Sequence, residues 1–183
     1  METFNIRTLM DSSEKYIKVW ESEDLNHRIL YFQLDKGEEG IPAHFHPHGE
    51  DHAIVLDGEL TYDVSFDKQL KANVNEIVFG WNNYVHGYHN YSDKPLHLLI
   101  FATPEHNPSV YSKENHIEGK NEKVRKAAID KNFASIASER IRFSVKKDGN
   151  QKYMFAYDKS TQELSRMHPS KKDRNLHLTI QFL

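Results

Sequence analysis

Nitrogen and oxygen donors spaced along short apolar segments constrain this chain more than any other feature. His44 and His46 form a His-x-His pair, followed by an acidic doublet at Glu50 and Asp51, then Gly58, then His86 with Asn90 behind it. Strand side chains alternate faces, so two histidines two positions apart point the same way. A carboxylate on the next strand and a histidine on a later one can converge on the same point. Imidazoles with one carboxylate suit a divalent transition metal. The chain has 12 histidines in 183 residues. At that density one His-x-His arises by chance, so the whole pattern carries the weight and the pair alone does not.

The segments around these donors read as strands. Residues 16–20 and 28–34 are rich in β-branched and aromatic side chains, and the charged stretch between them reads as a turn. A second turn at 36–40 leads into a strand carrying His44 and His46, followed by apolar strands at 53–56 and 60–66. Asp57-Gly58 between these two is a hairpin signal. Further strands fall at 77–79, 85–90 and 96–101. Many short strands with frequent turns predict a sandwich or barrel.

From Gly40 the chain reads G-I-P-A-H-F-H-P-H-G-E-D-H-A-I-V-L-D-G-E-L, and from Asn75 it reads N-E-I-V-F-G-W-N-N-Y-V-H-G-Y-H-N. On these two stretches the chain resembles the cupin superfamily. His44, His46, Gly58, His86 and Asn90 fall in register with its two motifs. The resemblance covers residues 25–105. Gly40 stands two residues closer to the first histidine than the usual glycine, and Asn75, Trp81 and Asn83 replace the usual glycine, proline and glycine. Asp51 takes the position of the motif's glutamate without a gap, whereas Glu50 requires a local bulge.

The resemblance implies a mainly β fold, a cupin-type double-stranded β-helix or jelly-roll barrel, with a C-terminal α+β extension. The expected division is a barrel over 1–107 and an extension over 108–183. Apolar residues Val124, Ala127, Ala128 and Ile136 predict a helix over 121–140. Segments 141–145 and 153–157 bracket Lys-Lys-Asp-Gly-Asn as a predicted hairpin, and residues 176–182 alternate as a half-buried strand.

The expected metal ligands are His44, His46 and His86 with Asp51 or Glu50. The ion would be iron, manganese, zinc or nickel. The alternative is a metal-free barrel whose histidines bind a ligand directly. Tyr88 shares strand parity with His86, and His52 lies beside the ligands, so these two are the candidate catalytic side chains. His48 is a further donor or a plain turn residue. His89 is expected to face away from the metal, Asn90 to bond backbone at a turn, and Trp81 to anchor packing. The remaining histidines, His97 among them, show no partner pattern, and the basic pairs of the tail read as a solvated face.

Lysine plus arginine total 24 against 27 aspartate plus glutamate, a net charge of −3. That argues against nucleic acid or an acidic membrane as partner. There are no cysteines, hence no thiolate site or disulfide framework. No secretory leader is visible and no apolar run approaches the ~20 residues that span a bilayer, so a soluble cytoplasmic protein is expected. Two classes of function follow. One is a metal-dependent enzyme (an oxidoreductase of dioxygenase type, an isomerase, a decarboxylase or a lyase) acting on a small organic substrate. The other is a non-enzymatic binding or sensing module. Edge-strand exchange would make either a homodimer.

Overall fold

The computed structural model describes residues 2–103, 109–111, 123–145, 153–166 and 177–183. Its elements in chain order are β1 (Thr3–Asn5), α1 (Ile6–Met10), β2 (Tyr16–Glu21), β3 (Arg28–Leu34), β4 (Ile41–His44) and β5 (Glu50–Asp57). β6 (Leu60–Asp63), β7 (Gln69–Ala72), β8 (Glu76–Gly80), β9 (His86–His89) and β10 (Leu96–Thr103) follow. The C-terminal part contains β11 (Lys126–Ala128), β12 (Ile136–Ala137), β13 (Ile141–Ser144), β14 (Tyr153–Asp158), β15 (Glu163–Arg166) and β16 (His177–Phe182). Among the described residues no helix is long and apolar enough to cross a membrane.

The chain divides into two compact units, residues 14–127 and residues 1–13 with 128–183. In the first unit, a six-stranded sheet runs β11-β8-β5-β10-β3-β2 and a four-stranded sheet runs β4-β9-β6-β7. The pairings among β2 to β10 are antiparallel. The larger sheet contributes Leu30, Leu34, Ala53, Val55, Val78, Leu96, Leu98 and Ile100 to one core, and the smaller contributes Leu60, Tyr62, Ala72 and Tyr88. The period-two alternation of β5 is visible here, since Ala53 and Val55 enter the core together. This is the expected jelly-roll, a double-stranded β-helix.

Turn chemistry closes the strands. Gly58 joins β5 to β6 at φ +86, and a Cβ there would lie 2.5 Å from the Pro95 carbonyl. Asn75 and Asn83, standing where the motif has glycines, both adopt φ +64. Asparagine is among the few residues that enter the left-handed region at small cost, so these departures keep the motif's backbone. Asn90 bonds the turn as expected. Its amide nitrogen donates to the carbonyls of Asp35 and Lys94 at 2.9 and 2.7 Å, and its oxygen accepts from the Ser92 hydroxyl at 2.7 Å.

The second unit holds a six-stranded sheet in the order β1-β15-β14-β16-β13-β12. Three expectations change here. Residues 123–140 contain no helix but the short strands β11 and β12, and Val124, assigned to a buried helical face, is 48% exposed. Pairing at sheet edges overrides the weak helical periodicity, which lacked a continuous apolar stripe. β13 and β14 do not pair as a hairpin, because β16 lies between them and bonds both; the intervening residues 146–150 lie outside the described residues. Finally, contacts divide the chain at 127/128 and not near 107, and β1 joins the second unit by pairing Phe4 with Leu164 of β15.

Candidate metal centre

β4, β5 and β9 bring the expected donors to one end of the barrel. His44 pairs with His86 across β4 and β9, and their ring centroids lie 4.3 Å apart. β4 itself ends at His44, but Phe45 makes a two-way bridge with Val110. That bridge prolongs the extended backbone, so His46 emerges on the same side as His44, with ring centroids 4.9 Å apart. Asp51 enters from β5, opposite Gly80 of β8. Ligand atoms of His44, His46, Asp51 and His86 all lie within 4.8 Å of one another.

Hydrogen bonds orient these rings. The Nδ1–H of His44 donates to the Pro42 carbonyl at 2.8 Å and that of His86 to the Tyr84 carbonyl at 3.0 Å. A carbonyl only accepts, so each Nδ1 must carry the proton, which leaves Nε2 as the lone-pair atom in the neutral ring. His86 Nε2 is buried without a hydrogen-bond partner among the described residues and lies 3.4 Å from an Asp51 oxygen. The same oxygen is 2.8 Å from Nε2 of His46. Backbone carbonyls behind metal-ligating imidazoles are a common device for fixing tautomer and ring direction. The four residues therefore fit a divalent ion: two aimed lone pairs, a third imidazole and one carboxylate.

Protonation favours the same assignment. Burial, reinforced by the charge of His86, depresses the His44 pKa to about 3. Burial also lowers that of His86, against an opposing pull from Asp51. Burial would raise Asp51, but the His46 and His86 rings beside it outweigh that and hold the carboxyl well below the usual carboxylate range. Neutral imidazoles beside an ionised carboxylate are the forms a metal requires.

The other candidates fall elsewhere. Glu50, the alternative ligand, does not join the cluster. It shares strand parity with His52 and lies on the opposite face of β5 from Asp51, with its carboxylate 3.0 Å from His52 Nε2. No bulge shifts β5 there, since Glu50 to Ile54 keep regular register with β10. His52 is correspondingly turned away from the cluster, fully buried, and packed edge-on against Trp81 at 4.6 Å. The sequence could not choose between the two faces because both positions carry suitable donors. Tyr88 does lie on the His86 face, its ring centroid 6.2 Å away. Burial pushes its phenol well above the ordinary value of 10, so it is a hydrogen-bond donor and not a base. Trp81 is a packing anchor, stacked on Phe79 with centroids 5.1 Å apart. His48 is exposed in a bend.

Some polar groups had no sequence signal. His89 faces away from the cluster as expected, but is buried and paired with Asp63 at 2.6 Å. His97 is buried and bonded to the Tyr31 hydroxyl at 2.7 Å. Arg125, from a basic stretch that reads as solvated, is 8% exposed. His106, His116 and His168 lie outside the described residues.

Residues 30–102 match the family model described as a cupin domain. A search of curated proteins found no match. Among solved structures, the chain is similar to an uncharacterised protein with a double-stranded β-helix domain from Klebsiella pneumoniae. The identity is 23%, covering 54% of this chain and 85% of that one, with a TM-score of 0.46. A Thermus thermophilus protein is 20% identical over 55% of this chain and 98% of its own, TM-score 0.48. A sugar phosphate isomerase of the cupin superfamily from Silicibacter pomeroyi is 18% identical over 48% of this chain and 57% of its own, TM-score 0.42. Motif, topology and family match coincide: residues 30–102 of this chain are a cupin domain.

Proposed function

We propose that this protein is a metal-dependent cupin enzyme that acts on a small organic molecule inside the barrel. One observation carries the reading: His44, His46, Asp51 and His86 come from separate strands to within 4.8 Å, with Nε2 of His44 and His86 left as lone pairs. A bound divalent ion supplies Lewis acidity and, when it is redox-active, a route for electrons. Three neutral imidazoles and one carboxylate leave such an ion with a net charge near about +1 and with open coordination positions for substrate oxygens. The chain's own residues do the remainder. Asp51 stays ionised and holds His46 toward the centre. The Pro42 and Tyr84 carbonyls keep His44 and His86 in one tautomer. The Tyr88 hydroxyl is free to donate a hydrogen bond to a bound substrate, and the apolar wall of Ala53, Val55 and Val78 excludes water, which strengthens every charge interaction at the site.

The test is metal analysis of untagged protein purified without added chelator. About one divalent ion per chain in the wild type, lost in His46→Ala and in His86→Ala, is the expected result. Absence of bound metal after reconstitution with iron, manganese, zinc and nickel in turn would refute the proposal. Iron or manganese would direct substrate screening to oxidative and isomerase chemistry. Zinc without an exchangeable water would instead favour a binding or sensing role.

A further inference from the structure

Arg125 is buried at the metal end of the barrel, outside the cupin match. Its Nε donates to the Phe79 carbonyl at 2.8 Å, Nη1 to Val64 at 3.1 Å, and Nη2 to Val85. Register fixes its place. Tyr62 faces Tyr88 and Asp63 faces Gly87 across β6 and β9, so Val64 comes beside His86. Val85 directly precedes His86, and Phe79 precedes Gly80, the partner of Asp51.

The guanidinium carbon lies 5.8 Å from the centre of the Tyr62 ring and 5.4 Å from that of Tyr84. No carboxylate of the described residues pairs with Arg125, and its three carbonyl bonds leave about two of the five guanidinium N–H groups. Tyr62 and Tyr88 stand together in the barrel core with centroids 5.4 Å apart. Their hydroxyl protons meet no acceptor among the described residues, although the Arg125 guanidinium lies beside the Tyr62 oxygen.

As a mere staple, Arg125 would account for the carbonyls it holds. Among the described residues that role leaves a buried cation without a counter-ion and two phenol groups without acceptors, each of which costs free energy. All three are relieved at once by a ligand that brings negative charge and several acceptor oxygens. Arginine is also the side chain whose planar fork matches a carboxylate. We infer that the ligand of this barrel is a small organic carboxylate, bound between the metal cluster and Arg125 with the Tyr62 and Tyr88 hydroxyls as its hydrogen-bond donors. The inference rests on the metal-dependent reading for where the ligand's far end goes, but the anion contacts themselves need no metal.

The experiment titrates succinate, its neutral analogue succinamide, and inorganic phosphate into the full chain, metal-free and metal-loaded, by calorimetry. Wild type is compared with Arg125→Gln and Tyr88→Phe, with metal content measured alongside. The expected result is succinate binding to both forms of the wild type, more tightly than succinamide or phosphate. Arg125→Gln should weaken it at least tenfold and Tyr88→Phe several-fold, with metal content unchanged. Equal succinate affinity in wild type and Arg125→Gln would overturn the inference, as would succinamide or phosphate binding as tightly as succinate, or no succinate binding at all. Should Arg125→Gln not fold, Tyr88→Phe decides: it keeps the ring and removes only an unsatisfied hydroxyl, so undiminished affinity there would also overturn it. Failure of the metal reading shows separately, as absent metal in the wild type.

Discussion

Substituting Gly80 by alanine tests the geometry of the cluster without touching a ligand. A Cβ on Gly80 would lie 2.3 Å from the Asp51 carbonyl oxygen and 2.9 Å from both Cγ and Nδ1 of His86. Ordinary non-bonded contacts sit near about 3.5 Å. The β5–β8 ladder must therefore open by roughly 1 Å at Asp51, and the His86 ring must move by roughly half an ångström. Neither neighbour is a flexible end. The first is backbone within a sheet, and the second is a ring tied through Nδ1 to the Tyr84 carbonyl. Overpacking of this kind costs about 1–3 kcal/mol. Displacing a metal ligand from its oriented position costs about 10–100-fold in affinity, the range seen when orienting partners are lost. Affinity would be measured by competition with a chromogenic chelator, and stability by denaturant unfolding of the metal-free protein. Gly58→Ala is the control. It forces a side chain into φ +86 against Pro95 at the far end of β5, and should cost about 1 kcal/mol or more while metal affinity holds within about twofold. Wild-type affinity in Gly80→Ala would show that the ion, if bound, is not held by His86 and Asp51 in this arrangement.

Other consequences can be checked on the same material. Metal should raise the melting temperature, by about 2.7 kcal/mol of stability at a free concentration 100 times the dissociation constant, and chelator should reverse this; a melt indifferent to verified metal removal contradicts the site. His52→Ala and Glu50→Ala each break a buried 3.0 Å pair and should cost about 1–3 kcal/mol with metal content intact. Loss of metal in either would return His52 or Glu50 to the centre. Burial holds His97 below its ordinary value of 6.5, partly offset by Asp57. The unfolded chain therefore takes up a proton that the native state refuses, and stability should fall as pH drops through and below about 6.5. Denaturant midpoints at pH 7.5 and 5.5 should show this drop shrinking in His97→Gln; an unchanged drop assigns it to other groups.

The barrel was legible because its signals are local. β3 falls on the predicted residues 28–34, and the Asp57-Gly58 turn and the convergence of His44, His46 and His86 follow from alternation and turn chemistry. The choice between Glu50 and Asp51 was not legible, because adjacent strand residues differ only in the face they present, and register with β10 decides it. The C-terminal unit was misread for a different reason. Its sheet pairs strands far apart in sequence, Phe4 with Leu164 and Tyr153 with Phe182, and no local period reports such partners. Arg125 escaped notice because a single arginine among lysines looks solvated until its acceptors at Val64, Phe79 and Val85 are placed.

The nesting of the two units has a kinetic meaning. β1 waits for β15 across 114 intervening residues of barrel, residues 14–127, and β14 has no inner neighbour until β16, near the C-terminus, arrives. The ring of jelly-roll strands, whose pairings all lie within its own continuous segment apart from the bordering β11, can close while the ribosome is still adding the outer module. Loop closure across a collapsed insert is cheaper than across a coil of equal length. The two segments that build the second sheet are thus joined in the chain only through the continuous stretch 14–127.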